Sequence, residues 1–210
     1  SPYNKVFLLI FALIIPFWYI YAIRFWLAAQ IFFFGVLRFT YDGNRKGILL
    51  AILSVLVHFS FVFPVSIFLI YLVVGNRVNV FFIFFILSFF ISQIDLTFVR
   101  ETLIAYTPVA FHSRVNGYVN EDTAANLNEV LTGAAWYAVW YKKLLNIAIA
   151  ILILMVFTKG KEIWSKRTDM LRLLSFSLLF GGFANIFSVI PWVNRFLAVS
   201  NLFSISFLFF

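Results

Sequence analysis

The chain reads as a succession of apolar blocks divided by short polar turns. The blocks run approximately Val6–Ile23, Phe25–Thr40, Ile48–Val74, Val78–Val99, Leu144–Phe157 and Met170–Pro191, and a seventh begins at Phe196. A hydrocarbon core takes roughly 20 residues of helix to cross, and these blocks are built on that scale. Lipid offers the backbone no hydrogen-bond partner, so each block is predicted to bond internally as a helix. The predicted fold is all-α, a polytopic transmembrane helical bundle with one long extracytoplasmic loop. The whole of 1–210 reads as a single transmembrane domain and as part of a longer chain, since the last apolar run stops at Phe210.

Composition strengthens this reading. Hydrophobic residues make up 64% of the sequence and charged residues only 11%, against about a quarter charged in soluble domains. The first apolar run is flanked by Trp and Tyr and leads straight into another, unlike a cleavable signal peptide. Phe occurs 30 times in 210 residues, which compositional bias explains without a function. With no cysteine, disulfides, thiolate metal sites and thiol nucleophiles are excluded. The formal charge of +8 sits beside the predicted spans, where membrane topology and lipid phosphate account for it better than nucleic acid does.

Lys and Arg in short loops set orientation. Arg45 and Lys46 mark one cytoplasmic turn, and Lys159, Lys161, Lys166, Arg167 and Arg172 mark another. Both must lie on one side, yet a single pass through Ile48–Val74 would put them on opposite sides. That block has about 40 Å of helix if continuous, and Pro64 interrupts it. Two passes, or a hairpin, meeting near His58-Phe59-Ser60 restore the parity; a membrane-embedded segment within Asn126–Tyr141 is the competing solution. The hairpin puts the N-terminus and Arg77 inside, and Arg24, His58, Arg195 and the long connection outside. Those outer cations run against the positive-inside rule and become candidates for function.

The long connection, about Arg100 to Lys143, carries Arg100-Glu101, His112-Ser113-Arg114 and the polar stretch Asn120-Glu121-Asp122-Thr123. Leu127–Tyr141 is predicted as an amphipathic helix with Trp136, Tyr137, Trp140 and Tyr141 as interfacial anchors. Loops longer than about 15 residues are often functional, and 100–143 is read as an extracytoplasmic cap over a membrane cavity.

Within the apolar blocks a few polar residues stand out. Arg24 is either a snorkelling interfacial arginine or a functional charge. His58 is either a neutral hydrogen-bonded core histidine or a base in a cavity. Asp95 shares a helical stripe with Ser88, Ser92 and Thr102 and is placed to pair with Arg100 as an ion pair, or to act as a functional carboxylate. Ser177, Gly181, Asn185 and Ser188 make a second small-residue stripe that helix packing explains. Arg100, Arg114 and Arg195 complete the outer arginines, whose forked donors suit phosphate. There is no Walker-type phosphate loop, no His-Glu-x-x-His and no Asp-x-Asp, and two histidines without cysteine make a poor transition-metal site.

Two segments carry a family resemblance. Arg24-Phe25-Trp26-Leu27-Ala28, followed after a basic turn by a helix ending His58-Phe59-Ser60, resembles the EpsG-like branch of Wzy-type exopolysaccharide (O-antigen-like) polymerases. Val193-Asn194-Arg195-Phe196-Leu197 is similar to that family's later arginine motif, although Val199 and Ser200 stand where an aromatic residue usually follows. The resemblance covers about two-thirds of the layout and rests on these few residues.

The resemblance implies a multi-pass protein of the bacterial inner membrane and a glycosyltransferase that works without a nucleotide, metal or other cofactor. Its substrates would be polyprenyl-pyrophosphate-linked glycans, joined at the outer face, and its partners would include membrane lipids and other polysaccharide-assembly proteins, but no nucleic acid. His58, Asp95 or Glu101 would take the acceptor's proton, while Arg24, Arg100, Arg114 and Arg195 would hold the pyrophosphate. A transporter or flippase for a lipid-linked or anionic substrate is the rival reading, and a non-catalytic subunit of a membrane assembly is the third. No internal inverted repeat favours the transporter.

Overall fold

The structure, a computed structural model, describes residues 22–91, 96–109, 112–118, 136–188, 190 and 194–209. The first predicted block, Val6–Ile23, lies almost wholly outside the described residues, as do Asp95 and most of the predicted helix Leu127–Tyr141. The fold is all-α, with no strand among the described residues. Its helices are α1 (Ile23–Thr40), α2 (Lys46–Val57), α3 (Val62–Val74), α4 (Val78–Ser88), α5 (Leu96–Tyr106), α6 (His112–Tyr118), α7 (Trp136–Lys159), α8 (Lys161–Trp164), α9 (Thr168–Phe187) and α10 (Asn194–Phe209), with a 3₁₀ turn at Phe59–Phe61 between α2 and α3.

Ring contacts fix the directions of these helices. Phe25 at the start of α1 meets Phe61, Phe32 in its middle meets both Phe61 and Phe68, and Phe39 near its end meets Phe68. α3 therefore runs parallel to α1. α2 runs the other way: Gly47 at its start packs on the Gly35 carbonyl and the Phe39 amide of α1, and His58 at its end meets Phe25. The block Ile48–Val74 is thus a hairpin that turns at His58, with α1 on one flank. Pro64 supplies a local reason for the turn. Its missing N–H and its ring would break a continuous helix, but it fits in the first turn of α3, where that N–H has no intrahelical partner.

α9 starts beside the α1–α2 turn, where Arg172 approaches Gly43, and ends with Phe187 against Phe63 at the start of α3. α10 runs parallel to α1, from Phe196 beside Phe25 and Phe61 to Phe203 beside Phe33 and Phe176. α4 lies parallel to α9, with Phe85 over Gly181 and Ser88 bonded to Asn185. α7 descends alongside, its Phe157 stacked on Phe82 at 3.7 Å.

The bundle therefore has two distinct ends. One gathers the turns carrying Arg45, Lys46, Arg77, Lys159, Lys161, Lys166 and Arg167, and is called the basic end. The other holds the start of α1, the His58 turn and the start of α10, and is called the His58 end. Both loops used above to set orientation lie at the basic end.

The core is built from phenylalanine. Phe32 is fully buried and its ring meets those of Phe61, Phe68, Phe176, Phe180 and Phe203. The pairs with Phe68, Phe180 and Phe203 are edge to face, a geometry worth about 0.5–1.5 kcal/mol per pair beyond area burial. Small polar residues are also inside: Ser54, Ser88, Ser175, Ser177, Ser200, Ser204 and Ser206 are buried. Large apolar side chains face outward, among them Leu27, Phe34, Ile52, Leu56, Val73, Val80, Ile83 and Ile151. Two of the helices, Ile23–Thr40 and Thr168–Phe187, are long and apolar enough to cross a membrane.

The expected span Val78–Val99 is not one helix. α4 ends at Ser88, where the serine hydroxyl donates to the Phe85 carbonyl at 2.6 Å and accepts a bond from Asn185 Nδ2 at 3.0 Å. Of the expected Ser88–Ser92–Asp95–Thr102 stripe, Ser88 and Thr102 stand on separate helices, α4 and α5, while Ser92 and Asp95 fall outside the described residues. The long connection also differs from a plain loop over 100–143: it includes most of α5, all of α6 and the first turns of α7, which runs unbroken from Trp136 into the apolar Leu144–Phe157.

Candidate functional site

The site is assembled at the His58 end by three short segments. The α2–α3 turn supplies His58. Its backbone is extended (φ −148°, ψ 113°), its N–H donates to the Ser54 carbonyl, and its own carbonyl accepts from the Phe61 N–H at 3.0 Å. These bonds stop α2 and start the 3₁₀ turn, leaving the imidazole between two helices rather than within one. Ser60 lies two residues on, and its Oγ sits 2.7 Å from His58 Nδ1.

α1 brings Arg24 and Phe25. Arg24 is exposed at the helix start, while Phe25 is buried and meets the imidazole edge to face at 5.5 Å. α10 brings Arg195 and Phe196. The Arg195 guanidinium lies 5.7 Å from the centre of the Phe25 ring, within the range of a cation–π contact. Phe196 is buried against Phe25, Phe61 and Phe63. Phe25 is thus the common wall between the imidazole and one guanidinium.

His58 lies in the interhelical turn, half-buried. Burial, and then the positive charges of Arg195 and Arg24, hold its pKa below the ordinary imidazole value. Both effects favour the neutral imidazole, whose unprotonated nitrogen can accept a proton.

Three of the sequence candidates, Arg24, His58 and Arg195, come together here although they are far apart in the chain. Arg100 and Glu101 stand on α5, Glu101 exposed, and Arg114 stands on α6. α5 and α6 pack on each other, and His112 Nε2 donates to the Thr107 carbonyl at 3.0 Å across their junction. Arg100, Glu101 and Arg114 thus belong to a separate helix pair. Asp95, and with it the suggested pairing to Arg100, falls outside the described residues.

Sequence reasoning missed the aromatic wall of Phe25, Phe61 and Phe196. A signal was present, since Arg24-Phe25 and Arg195-Phe196 repeat the same dipeptide, each placing its ring in the core; Arg24 is exposed, while Arg195 is half-buried. It also missed a polar layer in mid-bundle, where Asn201 Nδ2 donates to Asn146 Oδ1 and Asn185 Nδ2 to Ser88 Oγ. The Ser177–Ser188 stripe packs as expected: Gly181 lies against the Phe85 ring and Ser177 bonds the Leu173 carbonyl.

No protein-family model matches this chain, and no match is found among curated proteins or solved structures.

Proposed function

We propose that the chain is a multi-pass protein of the bacterial inner membrane that joins polyprenyl-pyrophosphate-linked oligosaccharide repeat units at the outer membrane face, with its reaction centre at the His58 end. The observation that carries this reading is the convergence of Arg24, His58 and Arg195 at one end of the bundle, where His58 and Arg195 share the Phe25 ring and the Arg24 charge acts on the imidazole. These are the positions on which the polymerase resemblance rests.

The membrane setting is supported by the outward-facing Leu, Ile, Val and Phe side chains over a core that contains buried serines. It is further supported by the collection of Lys and Arg at one end, as the positive-inside rule asks of a cytoplasmic face. α7, at 24 residues, adds a helix of about 36 Å.

The chemistry follows from the groups present. The acceptor sugar's hydroxyl oxygen attacks the anomeric carbon of the donor unit, and the bond from that carbon to the pyrophosphate oxygen breaks. The electron pair leaves with the polyprenyl pyrophosphate, and Arg24 and Arg195 oppose the charge that develops there. The hydroxyl proton passes to His58 Nε2, which is free to accept it when Nδ1–H donates to Ser60 Oγ.

The test is polymerisation of a lipid-linked repeat unit by purified protein in lipid, comparing the chain with Arg24→Ala, His58→Ala and Arg195→Ala. Length ladders that disappear in the variants while helicity and expression hold would support the reading. Absence of a ladder from the unaltered protein, tested with the host's own repeat unit, would shift the assignment to a transporter or an assembly subunit.

A further inference from the structure

At the basic end, remote from His58, the α3–α4 turn and the α7–α9 connection enclose an open cavity of about 410 Å³. That volume falls in the range of roughly 300–1,000 Å³ typical of small-molecule sites. Its polar rim consists of Asn76, Arg77 and Asn79 from one side and Lys161 and Ser165 from the other, with Trp164 as its floor.

The cavity is firmly built. Gly75 closes α3 with φ +74°, a conformation glycine adopts without strain, and Tyr71 OH donates to Asn76 Oδ1 at 2.8 Å, tying the turn to the helix. On the other side, Trp164 is 4% exposed. Its indole N–H donates to the Val156 carbonyl at 3.2 Å, and its ring stacks on Phe157, which stacks in turn on Phe82 of α4. Arg77 and Lys161 thus face one cavity from two braced walls, and both side chains are exposed.

The surface next to the rim is apolar. Val73 is 87% exposed, and Val80 and Ile83 are about 60% exposed. A ligand that matches the whole site carries an anionic phosphate for Arg77 and Lys161, hydrogen-bonding groups for the amides and Ser165, and hydrocarbon for the face beyond. We propose that this cavity binds the headgroup of an anionic phospholipid, its phosphate between Arg77 and Lys161 and its acyl chains along Val80 and Ile83. The proposal rests on the membrane setting but not on the polymerase chemistry.

The experiment is native mass spectrometry of the full chain released from bilayers that mix phosphatidylglycerol with phosphatidylcholine. The expected result is retention of phosphatidylglycerol over phosphatidylcholine by about tenfold, as two basic side chains near a membrane surface can supply. Arg77→Gln combined with Lys161→Gln should abolish that preference, whereas Arg45→Gln combined with Lys46→Gln, at the same end but outside the cavity, should keep it. The His58→Ala variant should also keep it, which separates failure of this proposal from failure of the polymerase reading. Equal loss in both paired variants would overturn the site in favour of diffuse surface charge. Displacement of the lipid by millimolar inorganic phosphate would overturn the lipid as ligand, because acyl contacts would then contribute nothing.

Discussion

The imidazole of His58 and the ring of Phe25 meet edge to face, with centres 5.5 Å apart and planes inclined at 86°. Phe25 is fixed in turn by Phe61 and Phe196, so a ring from each of three segments holds the imidazole's wall in place. Arg195 touches the same ring at 5.7 Å. The imidazole and a guanidinium therefore share one buried aromatic neighbour.

In the proposed reaction, Ser60 should matter less than His58, and in a different way. Removing a general base typically costs 10²- to 10⁴-fold, which is the loss expected for His58→Ala. Ser60 only orients the ring through the 2.7 Å contact, so Ser60→Ala should lower the polymerisation rate by about tenfold with little change in KM. Ser60→Thr, which retains the hydroxyl, should recover most of that rate. Full activity in Ser60→Ala would remove the serine from the mechanism.

The rate of the proposed reaction should fall on the acid side only at pH values below the ordinary imidazole pKa of about 6.5. Burial and the Arg195 and Arg24 charges disfavour protonated His58, so the neutral, proton-accepting form persists to lower pH. Deleting a positive neighbour relieves that effect and raises the pKa. In Arg195→Gln the acid limb should therefore move to higher pH, along with the drop in rate. A limb that stays put would argue that another group titrates.

Two glycines hold α1 against α2. A Cβ on Gly35 would lie 2.5 Å from the Ala51 amide nitrogen and 2.7 Å from the Gly47 carbonyl, both rigid backbone atoms. Gly35→Ala should destabilise the protein by about 1–3 kcal/mol, read as a lower thermal midpoint in detergent. Gly117, with nothing near its Cβ position, provides the control, and Gly117→Ala should be neutral.

The absence of cysteine makes single-cysteine labelling clean. In intact cells, an impermeant maleimide should reach Phe59→Cys at the His58 end. Asn44→Cys and Asn76→Cys at the basic end should react only after the membrane is opened. Labelling of all three from outside would refute the hairpin topology in the membrane.

The turns were legible in the chain because they combine the two strongest local signals, glycine and charge. Tyr41 through Arg45 and Gly75 through Arg77 fall between helices, Lys46 and Gly47 being drawn into the first turn of α2, and the hairpin at His58 follows from parity and Pro64. The break after Ser88 was not legible, because no glycine or proline marks it; a hydrogen bond from Asn185, remote in sequence, helps fix Ser88. Phenylalanine misled in the other direction. Its abundance looked like bias, yet Phe32, Phe61, Phe176 and Phe203 form the interlocked centre of the bundle. Of the candidate site, Arg24, His58 and Arg195 were named from motifs. Their convergence depends on helix directions that only long-range ring contacts reveal.

The shortness of α2, α3 and α4 has a further consequence for the surrounding bilayer. α2 has 12 residues, α3 13 and α4 11, or about 16–20 Å each at 1.5 Å per residue. α9, with 20 residues, reaches about 30 Å, close to the usual hydrocarbon thickness. In the proposed membrane setting, this hydrophobic mismatch is relieved by local thinning of the bilayer beside the short helices. For the proposed reaction, such thinning would bring the headgroup plane toward the His58 turn, where a lipid-borne diphosphate would meet the arginines. Reconstitution should reveal the effect, with activity rising as the acyl chains of the host lipid are shortened.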